Sequence, residues 1–269
     1  MTAPHHAPMA LLEVRDLGKR FDAAGGGDAP WVIRGMGFAV ADGEFLTVVG
    51  PSGSGKTTLL NMIAQTDHPT EGEVFLRGER ILHAGAPRLN PGWNRQIGYV
   101  TQEDNLLPWR SALDNVLYAL RLVGADDAAG RERARDLIAA VGLAGFEDYY
   151  PHQLSGGMRK RASLARTLVY DPPVILMDEP FGALDAETKA ILQHDLMTVW
   201  ASKRKTIVFV THDITEAIAL GDRTLVVSRA PARVTLDQAN DLPRPRRAED
   251  VIVHPAFPPL YERVRAAIR

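Results

Sequence analysis

The 269-residue sequence contains no cysteine, which excludes disulfide bonds, thiolate metal sites and cysteine nucleophiles. Net charge is also almost absent, because 31 lysines and arginines are balanced by 33 aspartates and glutamates, for a formal charge of −2. Such a balance provides no general attraction to nucleic acids or anionic lipids. We therefore expect no nucleic-acid partner.

Long apolar segments are also missing. No apolar run approaches the roughly 18 residues that a membrane-spanning helix needs, and residues 1–10 lack the basic and apolar regions of a secretion signal. The remaining composition, 45% hydrophobic and 24% charged, is typical of a globular protein with a sizeable core. We expect a soluble, cytosolic chain that reaches a membrane only through a partner.

Short apolar runs that are typical of buried strands recur along the chain. After a candidate first strand at 11–14, they lie at 45–49, 97–100, 174–177, 207–210 and 224–227. Helical patterns lie at 131–141, which Gly142 follows, at 186–202 and at 261–269. Strands that alternate with helices predict an α/β fold with a mostly parallel sheet. Residues from about 103 to 163 lack a strand pattern, which predicts an inserted helical lobe.

A glycine-rich segment follows the predicted strand at 45–49 and precedes an apolar helix start. It has the pattern G-x-x-x-x-G-K-[ST], which predicts a phosphate-binding loop at this position in the chain. Backbone N–H groups and the positive helix end would face the phosphates, Lys56 would reach the β- and γ-phosphates, and Thr57 suits Mg²⁺. This motif alone leaves a kinase, a GTPase, an ATPase and a transport subunit open. The predicted nucleotide-binding residues are Gly50, Pro51, Ser52, Gly53, Ser54, Gly55, Lys56, Thr57 and Thr58.

Two carboxylates follow the predicted strand at 174–177, where ligands of open α/β sheets bind. We predict that Asp178 holds Mg²⁺ and that Glu179 polarises the attacking water. Acidic residues are common at strand ends, so this assignment depends on the phosphate-binding loop in the same chain.

The segment Leu154-Ser155-Gly156-Gly157-Met158 precedes a further helical pattern, which predicts a second anion-binding helix start. Together with the two motifs above, it makes the sequence resemble the ATP-binding subunits of ABC transporters over nearly the whole chain. The resemblance implies a P-loop NTPase (RecA-like) core with a mostly parallel sheet and an N-terminal antiparallel β portion. It implies an ATP-binding domain at 11–228, with the helical subdomain at about 103–163 inserted in it, and a short C-terminal extension at 229–269.

The resemblance also implies further site residues. Gln102 matches the Q-loop glutamine, a catalytic residue and Mg²⁺ ligand, and His212 matches the catalytic switch histidine. Ala183-Leu184-Asp185 matches the D-loop, and Phe21 matches the aromatic residue that stacks on adenine. Two copies of the chain would face each other head to tail, with ATP and Mg²⁺ between them. The residues that the second copy contributes would be Ser155, Gly156, Gly157 and Asp185.

Residues 102–109 (QEDNLLPW), Met158 and the Pro- and Arg-rich tail resemble the importers for nitrate, sulfonates and taurine, although Glu103 and Gln65-Thr66 depart from that pattern. The resemblance implies a membrane permease that docks near Gln102–Trp109. It also implies an indirect partner, a periplasmic or extracellular substrate-binding protein, and a peripheral location on the cytoplasmic face of the inner membrane. The chain itself does not name the cargo.

Two alternatives remain at this point. A soluble ABC-type ATPase that acts on ribosomes or DNA usually has two cassettes, a coiled-coil insertion or a basic surface. A non-catalytic, nucleotide-gated scaffold would be expected to lack Glu179 or His212. The two basic clusters, at 159–161 and 244–247, are interpreted as a solvated helix face and an exposed linker.

Overall fold

The computed structural model describes residues 10–21, 29–86, 95–182 and 184–268. The chain divides into two compact units: the first unit comprises residues 1–93 and 204–269, and the second unit comprises residues 94–203. Within the described ranges, no helix is both long enough and apolar enough to cross a membrane.

The elements are numbered in chain order. The strands are β1 (Ala10–Arg20), β2 (Trp31–Ala41), β3 (Phe45–Val49), β4 (Glu71–Leu76), β5 (Glu79–His83), β6 (Ile97–Val100), β7 (Val174–Asp178), β8 (Thr206–Thr211), β9 (Arg223–Val227) and β10 (Val234–Ala239). The helices are α1 (Lys56–Ile63), α2 (Ala112–Val123), α3 (Ala128–Ala140), α4 (Gly156–Leu168), α5 (Ala186–Lys203), α6 (Ile214–Leu220), α7 (Ala248–Val251) and α8 (Phe257–Ile268).

The first unit contains antiparallel and parallel strand pairs. An antiparallel sheet has the order β2-β1-β4-β5, and a second set of strands has the order β10-β9-β3-β8. In that set β3 is parallel to both β8 and β9, and all five of its residues are buried. A strand that is covered on both faces requires a continuous apolar run, which explains the sequence FLTVV.

The second unit contains a parallel strand pair and a helical core. Strands β6 and β7 pair in the register Ile97↔Val174 to Val100↔Met177, and residues 101–173 contain no strand. Helix α2 begins after Ser111 and α3 after Asp127, whose side chains accept hydrogen bonds from backbone N–H groups of the first turn. The apolar faces of α2, α3 and α4 meet in one core that includes Val116, Leu120, Ala134, Ile138 and Ala165.

The predicted α/β class, with parallel strands and an N-terminal antiparallel portion, is confirmed. The predicted strands are present, but β1 has 11 residues where the pattern at 11–14 indicated four. The last helix begins at Phe257 and not at 261, because its two prolines lie in the first turn, where the backbone N–H groups have no partner within the helix. Arg269 lies outside the described residues.

The interpretation of residues 244–247 as an exposed linker is wrong for Arg244 and Arg246. Arg244 and Arg246 are partly buried, and both donate hydrogen bonds to carbonyl oxygens at the end of α6. Sequence patterns do not reveal this contact, because more than twenty residues separate the donors from the acceptors.

Candidate functional site

The loop between β3 and α1 requires glycine for steric reasons. Gly53 and Gly55 have φ angles of 74° and 86°, which residues with a side chain rarely adopt. A Cβ atom on Gly50 would lie 2.6 Å from Cγ2 and 2.7 Å from the carbonyl oxygen of Val227, so the backbone approaches β9 too closely for any other residue. The glycines therefore define the path of this loop.

The start of α1 lacks a capping side chain. The residue before the helix, Gly55, provides no capping side chain, and the first turn contains no acidic residue. Ser54 Oγ is buried and has no hydrogen-bond partner among the described residues. A helix start that lacks a capping side chain and has a positive dipole end is suited to a phosphate group.

Lys56 adds a positive charge to the same loop. It is the first residue of α1, and only 6% of its surface is exposed. Its Nζ donates hydrogen bonds to the carbonyl oxygens of Gly50 and Pro51, both at 2.9 Å. The loop therefore holds the ammonium group beside its own N–H groups, where a phosphate oxygen can replace either carbonyl as acceptor.

His212 lies at the same edge of the parallel strands as the phosphate loop. The register pairs Val49 of β3 with Thr211 of β8, so that Gly50 and His212 follow directly at the carboxyl ends of neighbouring strands. The side chain of His212 is exposed. The first unit thus brings the loop and His212 to the same edge of the parallel strands.

In the second unit, the two carboxylates adopt different environments. Asp178 ends β7 and is 4% exposed, whereas Glu179 begins a turn in which its carbonyl oxygen accepts from the Gly182 N–H at 3.1 Å. Glu179 has a φ angle of 42°, in the left-handed region that non-glycine residues seldom occupy. Backbone strain of this kind is concentrated at functional sites.

Gln102 lies just after β6, and Asp178 is the last residue of β7. Both residues are therefore at the carboxyl ends of two paired strands. Tyr99 of β6 has a pKa raised well above its ordinary value, because the phenol is buried and because the charge of Asp178 acts on it. The second unit therefore brings Gln102, Asp178 and Glu179 to one edge. Gln102 and Asp178 in the second unit, and Thr57 in the first, each carry an oxygen donor of the type that Mg²⁺ prefers.

Cations from α4 hold the segment that follows β6. Lys160 Nζ donates to the carbonyl oxygens of Thr101 at 2.7 Å and Gln102 at 2.8 Å, and Arg166 donates to the carbonyl oxygen of Asn105 at 2.6 Å. Burial lowers the pKa of Lys160 to about 8, although the charges of Asp104 and Asp178 oppose this shift. Residues 159–161 are thus not a solvated helix face, and that interpretation is wrong for Lys160, which is 6% exposed.

The second helix start is that of α4, and it is formed by Ser155, Gly156 and Gly157, of which Ser155 and Gly156 are exposed. Ser155 Oγ accepts from the Met158 N–H at 3.2 Å, and the first turn of α4 has no acidic residue. A Cβ atom on Gly157 would lie 2.7 Å from the Cγ2 atom of Thr188, so α5 approaches closely here.

The remaining predicted residues lie at element ends. Asp185 caps α5, and its Oδ1 accepts from the Thr188 N–H at 2.9 Å. Hydrogen bonds from Thr188 lower the pKa of Asp185. Ala183 of the predicted D-loop lies outside the described residues. Phe21 is 49% exposed after β1, with Lys19 Nζ 4.9 Å from its ring centroid, so it is not a core residue.

The fold, the phosphate-binding loop and the carboxylates at the strand ends define a P-loop nucleoside triphosphatase. The model of the ABC transporter family matches residues 33–182, and the chain belongs to this family.

Relatives named as importer subunits cover most of the chain. It is 41% identical to an aliphatic sulfonates import ATP-binding protein of Bacillus cereus, over 80% of this chain and 81% of the relative. It is 42% identical to a taurine import ATP-binding protein of Pseudomonas entomophila, over 84% of this chain and 82% of the relative. It is 46% identical to an uncharacterized ABC transporter ATP-binding protein of Methanocaldococcus jannaschii, over 87% and 84%.

Solved structures agree with this assignment. A dimeric ATP-binding cassette bound to ADP and Pi in a post-hydrolysis state superimposes with a TM-score of 0.74 at 32% identity, covering 86% of this chain and 99% of that one. A dimeric bacterial ABC transporter cassette gives a TM-score of 0.75. The predicted P-loop NTPase fold is confirmed, and the chain is an ATP-binding cassette that hydrolyses ATP.

The cations that hold the segment after β6 were missed by the sequence reasoning. The sequence signal for these cations is weak, because a basic residue on a helix gives no indication of which distant carbonyl oxygen it contacts.

We expect Lys160→Met to keep the apolar stem of the side chain but to leave two carbonyl oxygens without their donor. The free energy of unfolding should fall by about 1–3 kcal/mol in urea titrations.

The matched control is Arg135→Met, at an exposed position of α3, which should change the unfolding free energy little. Equal stability of the two variants would contradict the structural role of Lys160.

Proposed function

We propose that the chain is the ATP-hydrolysing subunit of an ABC importer, in which two copies close on ATP and drive a partner permease. The observation that carries the proposal is the presence of two helix starts that follow a glycine- or serine-containing loop and have no acidic residue in the first turn, at α1 and at α4. The importer names of the relatives support the direction of transport. The proposal keeps the domain at 11–228, its helical subdomain at about 103–163 and the extension at 229–269.

In this proposal, residues 50–58 bind the phosphates of ATP. The N–H groups of the loop and of α1 act as donors, and Lys56 exchanges the carbonyl oxygens of Gly50 and Pro51 for oxygens of the β- and γ-phosphates. Phe21 presents an exposed aromatic face, which suits stacking on adenine.

Thr57, Asp178 and Gln102 are the proposed ligands of Mg²⁺ in the ATP-bound protein. Mg²⁺ held by these residues would neutralise negative charge on the phosphates while the γ-phosphoryl group is transferred to water. The donors match in chemistry, because one carboxylate with neutral oxygen ligands leaves room for phosphate oxygens.

Glu179 is the proposed general base. Its φ angle of 42° interrupts the extended backbone immediately after Asp178, and we assign separate tasks to the two neighbouring carboxylates. Glu179 accepts the proton of the attacking water, and His212 and Gln102 contact the γ-phosphate and the water. Within each unit, strand ends and turns fix the backbone that carries these side chains.

The second copy completes each site in this proposal. Ser155, Gly156 and Gly157 would supply N–H donors to the γ-phosphate that the partner's loop binds, and Asp185 would lie at the same interface. Head-to-tail symmetry then gives two equal sites in one closed dimer. The dimeric state of the two solved relatives supports this arrangement.

The permease is proposed to dock near Gln102–Trp109. Trp109 is 70% exposed, which is unusual for a tryptophan. The loop beneath it is held by the buried Asn115, whose Oδ1 accepts from the Leu107 N–H at 2.7 Å and whose Nδ2 donates to the Arg110 carbonyl oxygen at 3.1 Å. A loop that is hydrogen-bonded to a buried side chain and carries an exposed aromatic residue suits a protein interface.

Through the permease the chain would lie peripherally on the cytoplasmic face of the inner membrane, and a periplasmic or extracellular substrate-binding protein would deliver the cargo. We propose that the cargo is a small anion or organic compound such as nitrate, a sulfonate or taurine, in line with the names of two relatives.

Those names disfavour the alternative of a soluble ABC-type ATPase that acts on ribosomes or DNA. A non-catalytic scaffold is less favoured by the ATPase family and the presence of Glu179.

We expect Glu179→Gln to bind ATP but to hydrolyse it about 10²–10⁴ times more slowly, because the amide keeps the shape and loses the base. ATP should then hold a stable dimer that size-exclusion chromatography detects. The control Glu132→Gln, at an exposed position of α3, should hydrolyse ATP normally and form no trapped dimer. Normal turnover by the Glu179 variant would remove Glu179 from the role of base.

Lys56→Ala should instead weaken the binding of ATP, because it removes the cation beside the phosphates. Loss of charge-assisted hydrogen bonds predicts a rise in the dissociation constant of at least about tenfold, measured by calorimetry. The Glu179→Gln chain is the reference, since its affinity should stay unchanged. Equal affinities in the two variants would contradict the assignment of the phosphate-binding loop.

A further inference from the structure

The carboxyl end of α6 is capped by arginines from far along the chain. The last carbonyl groups of a helix have no partner within it, and α6 has no basic residue in its own last turn. Arg246 Nε donates to the Ala219 carbonyl oxygen at 2.7 Å, and its Nη2 donates to those of Ile218 at 3.3 Å and Gly221. Arg244 Nη2 donates to the Leu220 carbonyl oxygen at 2.6 Å. We call Arg244 and Arg246 the arginine clamp.

The arginine clamp is partly buried and remains charged at neutral pH. Burial lowers the pKa of Arg246 to about 10, the neighbouring Arg244 adds to this effect, and Asp222 opposes it. Arg244 Nε donates to Asp222 Oδ1 at 2.7 Å, which offsets part of the charge. Cations at a helix carboxyl end also interact favourably with the helix dipole. Four consecutive carbonyl oxygens of the chain are therefore fixed by two guanidinium groups.

The opposite end of α6 is attached to the residues on both sides of His212. Asp213 caps the helix, since its Oδ1 accepts from the Glu216 N–H at 3.1 Å. The hydroxyl of Thr211 donates to the carboxylate of Glu216 and accepts from the Asp213 N–H at 3.1 Å. Glu216 is 5% exposed, so this connection is shielded from water. The segment Thr211–Asp213 is thus fixed to the first turn of α6.

Helix α6 is short enough to transmit a displacement as one body. Its seven residues span about 10 Å at 1.5 Å per residue. Its buried residues Ala217 and Ile218 pack in one core with Phe257, Leu260 and Val264 of α8. The C-terminal segment therefore contacts α6 twice, through apolar packing along its face and through the arginine clamp at its end.

We propose that the arginine clamp positions His212 for ATP hydrolysis. The clamp fixes one end of α6, and the other end carries the segment that contains His212, at the edge where the phosphate loop begins. Arg244 and Arg246 are positioning residues that act through α6 and touch no substrate. This inference rests on the proposed role of His212. It gives the extension at 229–269 a function in turnover.

The test compares Arg246→Ala with Arg247→Ala, because Arg247 belongs to the same segment but is exposed and forms an ion pair with Glu249 at 3.5 Å. Arg246→Ala should lower kcat by about tenfold, since a shift on the order of 1 Å can cost up to roughly 10²-fold in rate. The dissociation constant of ATP should stay unchanged, because the phosphate loop is intact. Arg247→Ala should leave both quantities unchanged.

A second readout follows His212 directly. The chain has eight histidines, so their imidazole NMR signals can be resolved, and a His212→Gln sample identifies the signal of interest. In Arg246→Ala the His212 signal should shift, while those of His83 and His152 should stay in place. Arg246→Lys should restore part of kcat and part of the shift, because an ammonium group replaces only some of the guanidinium hydrogen bonds.

Each outcome has a defined meaning. A normal kcat in Arg246→Ala, or a lowered kcat with an unmoved His212 signal, would overturn the inference. If His212→Gln itself turns over normally, the proposed role of His212 fails, whereas a shifted His212 signal in Arg246→Ala would still support the mechanical link. If Arg246→Ala does not fold, Arg244→Ala and Arg246→Lys provide the same comparison.

Discussion

The backbone groups at helix ends are the constraint on which this structure depends, because they have no partner within the helix and must be satisfied elsewhere. Helix α1 begins after a glycine that offers no capping side chain. Its N–H groups and Lys56 are therefore available to phosphate oxygens, and the loop geometry follows from the close approach of Gly50 to Val227. At the carboxyl end of α6, by contrast, the partly buried Arg244 and Arg246 donate hydrogen bonds to the last carbonyl oxygens.

Buried cations that bind carbonyl oxygens recur in both units. Lys160 holds Thr101 and Gln102 in the second unit, and the arginine clamp holds the end of α6 in the first. Lys160 fixes the backbone of a proposed site residue, Gln102, whereas the arginine clamp fixes the end of α6 that lies opposite His212. A charged group is costly to bury, so such a contact is stable only where several hydrogen bonds satisfy the charge. Positioning and stability are thus achieved by the same interactions.

Sequence patterns predicted much of this architecture, and the failures have physical causes. The buried strands are apolar on both faces, so β3, β7 and β8 are visible as runs. Half-exposed strands such as β10 alternate with polar residues and were missed. The phosphate loop and the two carboxylates follow from local spacing. The roles of Lys160 and Arg246 depend on carbonyl oxygens far along the chain, which no local pattern reveals.

The central claim is that each ATP is shared between two copies, and photo-crosslinking tests it most directly. A chain with Lys56→Ala is mixed with a longer, tagged chain that carries Ser155→Arg, together with an ATP analogue that is photoreactive at the γ-phosphate. Only the tagged chain keeps an intact phosphate loop, and only its partner keeps an intact Ser155–Gly157 segment. The account predicts a label on the Ser155 peptide of the Lys56→Ala chain. A label confined to the tagged chain would show that one copy binds ATP alone and would contradict the account.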